Sequence, residues 1–280
     1  MSLRSRVPEA PFESEGVMKI RVGRANCIVA AGVMATLALT PSALSGQDSP
    51  KAKPLPTVQQ VMDRYVTALG GREAIFKHKS MTVRGKFVVS DKELDRVAYY
   101  KGGKMLYQIT VPNGSHYQEG FDGKVAWQVS PTGVPEISEG DVVKSKERDA
   151  DMYYPAHILD YFSSMEVVDV ADFEGHTCYH LKGANKWGKV NEHFYDTTTG
   201  LLVGYRFDAS WRGGSGSESE VFSDYKSFDG WMMPTRAAHK SSDPTQVETT
   251  TSVSFDDVDD SVFSLPDAVK ALLAKKVVAK

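Results

Sequence analysis

Gly120-Phe121-Asp122-Gly123-Lys124-Val125-Ala126-Trp127 is echoed further along the chain by Ser227-Phe228-Asp229-Gly230-Trp231-Met232-Met233-Pro234. Each stretch sets an Asp-Gly dipeptide between aromatic-rich, β-prone runs. That dipeptide is a strong hairpin signal, because a type I′ turn needs φ above zero at both central residues. The two stretches therefore predict hairpins in an antiparallel meander. Neither of them carries chemistry.

Outward from these hairpins, glycines and prolines cut the sequence into further strands. Strands are expected near 81–90, 93–101, 104–111, 115–121 and 124–129, and again near 165–170, 176–183, 190–196, 201–209, 218–227, 231–240 and 247–256. On one of them Glu192, Phe194 and Asp196 alternate with His193 and Tyr195, as in a sheet wet on at least one side. Segment 140–163 breaks the pattern. It is rich in charge and then runs Tyr153-Tyr154-Pro155-Ala156-His157-Ile158-Leu159-Asp160-Tyr161-Phe162, where Pro155 suits a first helical turn and Ile158, Leu159 and Phe162 share a helical face. Before the strands, Thr57 and Gln60 make a capping box, Val61, Tyr65 and Leu69 form a stripe, and Gly70-Gly71 ends the helix. A final amphipathic helix carries Val269, Leu272 and Leu273.

The N-terminus speaks to compartment. Lys19, Arg21 and Arg24 precede an apolar run from Cys27 to Leu39, and Ala43-Leu44-Ser45 follows, which is the pattern of a cleaved secretory signal over residues 1–45. Residues 1–17 read as an extension upstream of a start at Met18. A membrane anchor is the alternative, but spanning the hydrocarbon takes about 20 apolar residues. Residues 46–56 hold Pro50, Pro54 and Pro56 and are expected to form an extended tether, leaving 57–280 as one domain. Cys27 would leave with the signal, so Cys178 would stay as a lone thiol without an internal disulfide. The chain has a net charge of -3, and residues 1–45 hold five basic and three acidic side chains, so the remainder is near -5. A mildly acidic domain is a poor candidate for nucleic acid.

Several longer motifs carry a resemblance. They are Tyr65-Val66-Thr67-Ala68-Leu69-Gly70-Gly71, the first Asp-Gly stretch, Phe194-Tyr195-Asp196-Thr197-Thr198-Thr199-Gly200-Leu201, Asp224-Tyr225-Lys226 running into the second Asp-Gly stretch, and Asp259-Asp260-Ser261-Val262-Phe263-Ser264-Leu265-Pro266. In this order, over nearly the whole secreted part, the chain resembles the lipoprotein-sorting, LolA/LolB-like superfamily. The resemblance implies a mainly β, α+β fold: a curved, unclosed antiparallel barrel of about eleven strands, plugged by short helices around an apolar cavity for acyl chains. An apolar hollow favours such chains at about 0.8 kcal/mol per buried methylene.

Sites for chemistry are few. His176, Cys178 and His180 share one face of a strand and are good zinc or copper ligands by type. Side chains two apart on a strand are roughly 6.5 to 7 Å apart, so all three cannot easily reach one ion, and a core-facing Cys178 is the simpler reading. The run Asp256-Asp257-Val258-Asp259-Asp260 lacks the glycine and closing glutamate of a calcium loop and is expected to be a solvated turn. Ser215, in Gly-Gly-Ser-Gly-Ser, misses the nucleophile elbow at its last position. Catalytic residues, metal and cofactor are therefore not expected.

Large amphipathic rings line cavities and also fill cores. The cavity candidates are Tyr99, Tyr107, Tyr117, Phe121, Trp127, Phe194, Tyr205, Phe207, Trp231 and Met233. The expectation is a periplasmic, non-enzymatic carrier for a hydrophobic ligand or lipoprotein. The alternatives are an accessory subunit docked on the periplasmic side of a membrane-embedded complex and, more weakly, a metal-dependent enzyme built on the histidines.

Overall fold

The computed structural model describes residues 54–208, 216–240 and 245–278. The expected signal over 1–45, most of the tether, Cys27 and the loop with Ser215 lie outside the described residues. Helix α1 (Val58–Ala68) starts at the expected capping box: the Gln60 N–H donates to Thr57 Oγ1 at 3.2 Å, and the Thr57 N–H donates to Gln60 Oε1 at 2.8 Å. Two orphan amides are thereby satisfied. Helix α1 buries Val61, Met62 and Tyr65, and Gly70, at φ 102°, turns the chain into α2 (Gly71–Phe76), which buries Ile75.

Six strands follow: β1 (Ser80–Val89), β2 (Lys92–Lys101), β3 (Lys104–Thr110), β4 (His116–Phe121), β5 (Ala126–Val129) and β6 (Pro135–Ile137). Helices α3 (Asp141–Asp149) and α4 (Tyr154–His157) and a 3₁₀ turn (Ile158–Tyr161) come next. The sheet then resumes with β7 (Phe162–Phe173), β8 (His176–Asn185), β9 (Val190–Asp196), β10 (Leu202–Asp208) and β11 (Ser217–Ser223). A ribbon, β12 (Lys226–Phe228) and β13 (Trp231–Met233), precedes β14 (Arg236–His239) and β15 (Gln246–Ser254), and helix α5 (Asp267–Val278) closes the chain.

Thirteen of these strands form one antiparallel sheet in the order β6-β5-β4-β3-β2-β1-β15-β14-β11-β10-β9-β8-β7. It is two meanders joined where the first strand pairs with the last, and it is unclosed, ending at β6 and β7. Because the chain leaves one edge and re-enters at the other, segment 138–161 has to cross the opening. The helical plug is thus a consequence of topology.

The strand count exceeds the eleven implied by resemblance. One extra strand is β6. The predicted strand at 218–227 stops at Ser223, because Asp224 takes φ 56°, and the predicted strand at 231–240 is split at Pro234, which has no N–H for a ladder. The excised ribbon β12–β13 docks on the helices, with the Met232 N–H donating to the Leu69 carbonyl at 2.9 Å. Phe162 also departs from expectation: it leaves the helical face with Ile158 and opens β7, opposite Asn185.

Both faces of the sheet are covered in places. On the concave face Val61, Tyr65, Leu69, Ile75, Ile158, Leu181, Tyr195 and Trp231 form one core. On the convex face Leu106, Trp127, Val258, Phe263 and Val269 pack together, the last of these from α5. Adjacent strand residues such as Leu106 and Tyr107 point to opposite faces, so Tyr107 looks inward.

Of the two Asp-Gly stretches, only the second is the predicted turn. Asp229 and Gly230 have φ of 47° and 89°, and β12 and β13 pair up to Phe228 and Trp231. At the first, Asp122 keeps a negative φ and its Oδ1 accepts the N–H groups of Lys124 and Val125 at 2.9 and 2.7 Å, making a wider Asx-capped loop.

Candidate functional site

The sheet curls around a cavity of about 1390 Å³, which both meanders line. This exceeds the roughly 300 to 1,000 Å³ usual for small-ligand pockets. One part is apolar, with Phe87, Leu94 and Ile109 clustered on the first meander. Tyr65 of α1, Tyr154 of α4 and Ile158 line it from the helices.

Polar groups run along the wall in pairs. The Tyr107 hydroxyl donates to Glu248 Oε1 at 2.8 Å, the Tyr117 hydroxyl to Glu119 Oε2 at 2.9 Å, and the Tyr205 hydroxyl to Glu220. Burial, followed by the neighbouring carboxylate, raises the Tyr107 and Tyr205 phenols well above their usual range, so both stay protonated donors. Lys146 of α3 donates to Glu119 Oε1 at 2.6 Å, and Arg96 of β2 sits 3.2 Å from Glu248 as an ion pair. Arg148 donates to Asp149 Oδ1 at 2.7 Å and lies over the rings of Tyr154 and Trp187. His193, 3 % exposed, faces this region, and burial, with Arg148 adding to it, lowers its pKa to about 3.

The ten aromatic and Met candidates divide by face. Tyr107, Tyr117 and Tyr205 line the cavity. Tyr99 and Trp127 point to the convex side under α5, and Phe194 joins Phe173, Cys178 and Val203 on that side. Phe121 faces inward but is closed off with Ala126, Ala150 and Val143 of α3. Trp231 and Met233 pack with the helical core, Trp231 nearly parallel to Phe255 with centroids 6.2 Å apart. Phe207 lies inward beside Tyr205 and His239, off the cavity lining. The sequence reading missed Glu119, Arg148, His193, Glu220 and Glu248. Strand parity with Tyr117 would have found Glu119.

The other motifs have structural partners. His176 shares a hydrogen bond with Asp196 at 3.0 Å, His180 stacks on Phe194 at 4.8 Å, and the buried Cys178 thiol is pushed up to about 12 by burial and then by nearby carboxylates. Among the described residues, no group of three or more His, Cys, Asp or Glu is placed to hold a metal. In the acidic run, Asp257 and Asp260 pair with Lys101, Asp259 caps a 3₁₀ turn, and Val258 is buried. The run is therefore a tie between the chain's end and β2 as well as a turn.

Comparison of structures finds the same architecture elsewhere. A LolA superfamily protein from Nitrosomonas europaea superposes with a TM-score of 0.51 at 14 % identity, covering 75 % of this chain and 99 % of the other. A DUF1329 family protein from Desulfovibrio piger gives 0.51 at 14 % identity, covering 74 % and 97 %. The chain has a LolA-like fold. No protein-family model matches the sequence, and a search of curated proteins returns no match.

Proposed function

We propose that this protein is a non-enzymatic carrier that takes an acyl chain, a lipoprotein's lipid or another hydrophobic ligand into the concave cavity, after export through its N-terminal signal to the periplasm. The observation that carries this reading is the cavity of about 1390 Å³, with the apolar patch of Phe87, Leu94 and Ile109 on its wall. At about 0.8 kcal/mol per methylene, burial of a dodecyl tail could supply several kcal/mol of affinity. The fold shared with a LolA superfamily protein supports the same reading. Native mass spectrometry of protein purified from its own periplasm tests it. A bound amphiphile is expected; a ligand-free protein that also fails to take up a fluorescent fatty-acyl probe overturns it.

A second reading, docking on the periplasmic side of a membrane complex, has one observation of its own. Strand β7 is a twelve-residue edge that leaves Val168 and Val170 41 % and 47 % exposed. Long edges with exposed apolar residues are templates for strand addition. Co-purification with a membrane protein at fixed stoichiometry would favour this reading.

A further inference from the structure

Within the carrier reading, we infer that the polar part of the cavity's ligand donates hydrogen bonds and carries no negative charge. The wall is richer in carboxylates than a container for bare hydrocarbon requires: Glu119, Glu136, Asp149, Glu220 and Glu248 all line it. Among the described residues, only Lys92 and Arg148 line it as cations. Lys146 and Arg96 pair with Glu119 and Glu248 from beside the cavity, and carboxylates still exceed cations by one. An anionic head would meet like charge in a partly desolvated space, where repulsion is several-fold stronger than in water.

A buried acceptor on the wall points the same way. The hydroxyl donors of Tyr107, Tyr117 and Tyr205 are already directed to Glu248, Glu119 and Glu220. An acceptor is left over: Asn191 lines the cavity with a buried Oδ1 that has no partner among the described residues. His193 also lines the cavity and shares a hydrogen bond with the Tyr195 hydroxyl through Nδ1 at 3.3 Å, so its Nε2 accepts when Nδ1 holds the ring proton and donates when Tyr195 supplies the proton of that bond. A buried acceptor without a donor costs about 1 to 3 kcal/mol, and a ligand O–H or N–H would recover that. The Glu119 and Glu248 carboxylates also have more lone pairs than the donors on them, leaving room for a further donor.

Ligands with one dodecyl tail and different heads separate the possibilities. Binding of dodecylammonium, dodecyl glucoside, dodecyltrimethylammonium and dodecanoate to delipidated protein purified from the periplasm is measured by calorimetry below their micellar concentrations. Dodecylammonium or the glucoside is expected to bind at least about tenfold more tightly than dodecanoate, a difference of about 1.4 kcal/mol. Whichever is tighter identifies the donor as ammonium or hydroxyl. The double variant Glu136→Gln, Glu220→Gln should narrow that preference several-fold. Dodecanoate binding as tightly as both donors overturns the inference, and so does dodecyltrimethylammonium binding as tightly as dodecylammonium when the glucoside has no advantage. Binding by none of the four overturns the carrier reading itself, which distinguishes the two failures.

Discussion

Tyr107 on β3 and Glu248 on β15 meet at 2.8 Å, although β2 and β1 lie between their strands in the sheet. At roughly 4.8 Å per strand their backbones would stand about 14 Å apart in a flat sheet, with side chains projecting in parallel. They can touch only because the sheet is strongly concave there. Arg96 on β2 reaches the same carboxylate at 3.2 Å, so one glutamate ties three strands across the inside of the curve.

Glu248→Ala should therefore be far more damaging than Tyr107→Phe. The first leaves the Arg96 guanidinium, 8 % exposed, without its carboxylate, a loss of about 3 to 5 kcal/mol. The second removes one hydrogen bond to a charged group, about 1.5 to 3 kcal/mol at most. Urea unfolding of the two variants measures the difference. Equal losses would mean that Glu248 does not hold the curve.

Gly70→Ala should destabilise the docking of the β12–β13 ribbon. Gly70 has φ of 102°, and a Cβ there would sit 2.1 Å from the Gly230 carbonyl oxygen. Neither partner is a flexible side chain, so backbone has to move, and the adjacent bond from Met232 N–H to the Leu69 carbonyl goes with it. A loss of about 2 to 4 kcal/mol is expected, combining left-handed strain with that displacement. Thermal unfolding within a degree or two of the parent would show that the two turns are not tightly seated.

What the sequence made legible here is local. Thr57 and Gln60 are three residues apart, and Asp229-Gly230 sets its own dihedrals, so each could be read without the rest of the chain. Asp122-Gly123 looks the same in sequence, yet the Asp122 carboxylate captures two amides and opens the turn. The strands and the unclosed barrel followed from glycine spacing and from resemblance. The face of each aromatic did not. Tyr99 and Tyr100 are both half-buried because α5 covers one side of the sheet and the helical plug the other, so alternation could not say which side encloses the cavity. The polar wall was hidden for a related reason. Glu248 and Glu220 meet Tyr107 and Tyr205 from other strands, and no motif marks such pairs.

Stability should rise with pH between about 4.5 and 6.5, in part through His193. Its pKa is lowered to about 3 by burial, with Arg148 adding to it, while the unfolded value is near 6.5. Between these values the unfolded chain binds the proton and the native one does not, so acid favours unfolding, at up to about 1.4 kcal/mol per pH unit. His78, also lowered chiefly by burial, acts in the same direction. The difference between parent and His193→Gln isolates the first contribution. Denaturant titrations from pH 4.5 to 7.5 should show a shallower slope in the variant, and parallel curves would contradict a buried neutral His193.

Ile109→Trp should block ligand uptake without unfolding the protein. Ile109 packs with Phe87 and Leu94 on the concave wall and lines the cavity, so the larger ring can extend into the hollow. Overpacking in a closed core costs about 1 to 3 kcal/mol, and adjacent empty space should keep the cost at the low end. A tail that loses the same apolar wall loses the methylene burial there, and two methylenes already correspond to about 1.6 kcal/mol, more than tenfold in affinity. Val170→Trp serves as the control, since Val170 is exposed on β7 outside the cavity lining. Binding of a fluorescent fatty-acyl probe, with circular dichroism to confirm folding, should fall at least about tenfold for Ile109→Trp and stay unchanged for Val170→Trp. A folded Ile109→Trp variant with full uptake would place the ligand somewhere other than the concave wall.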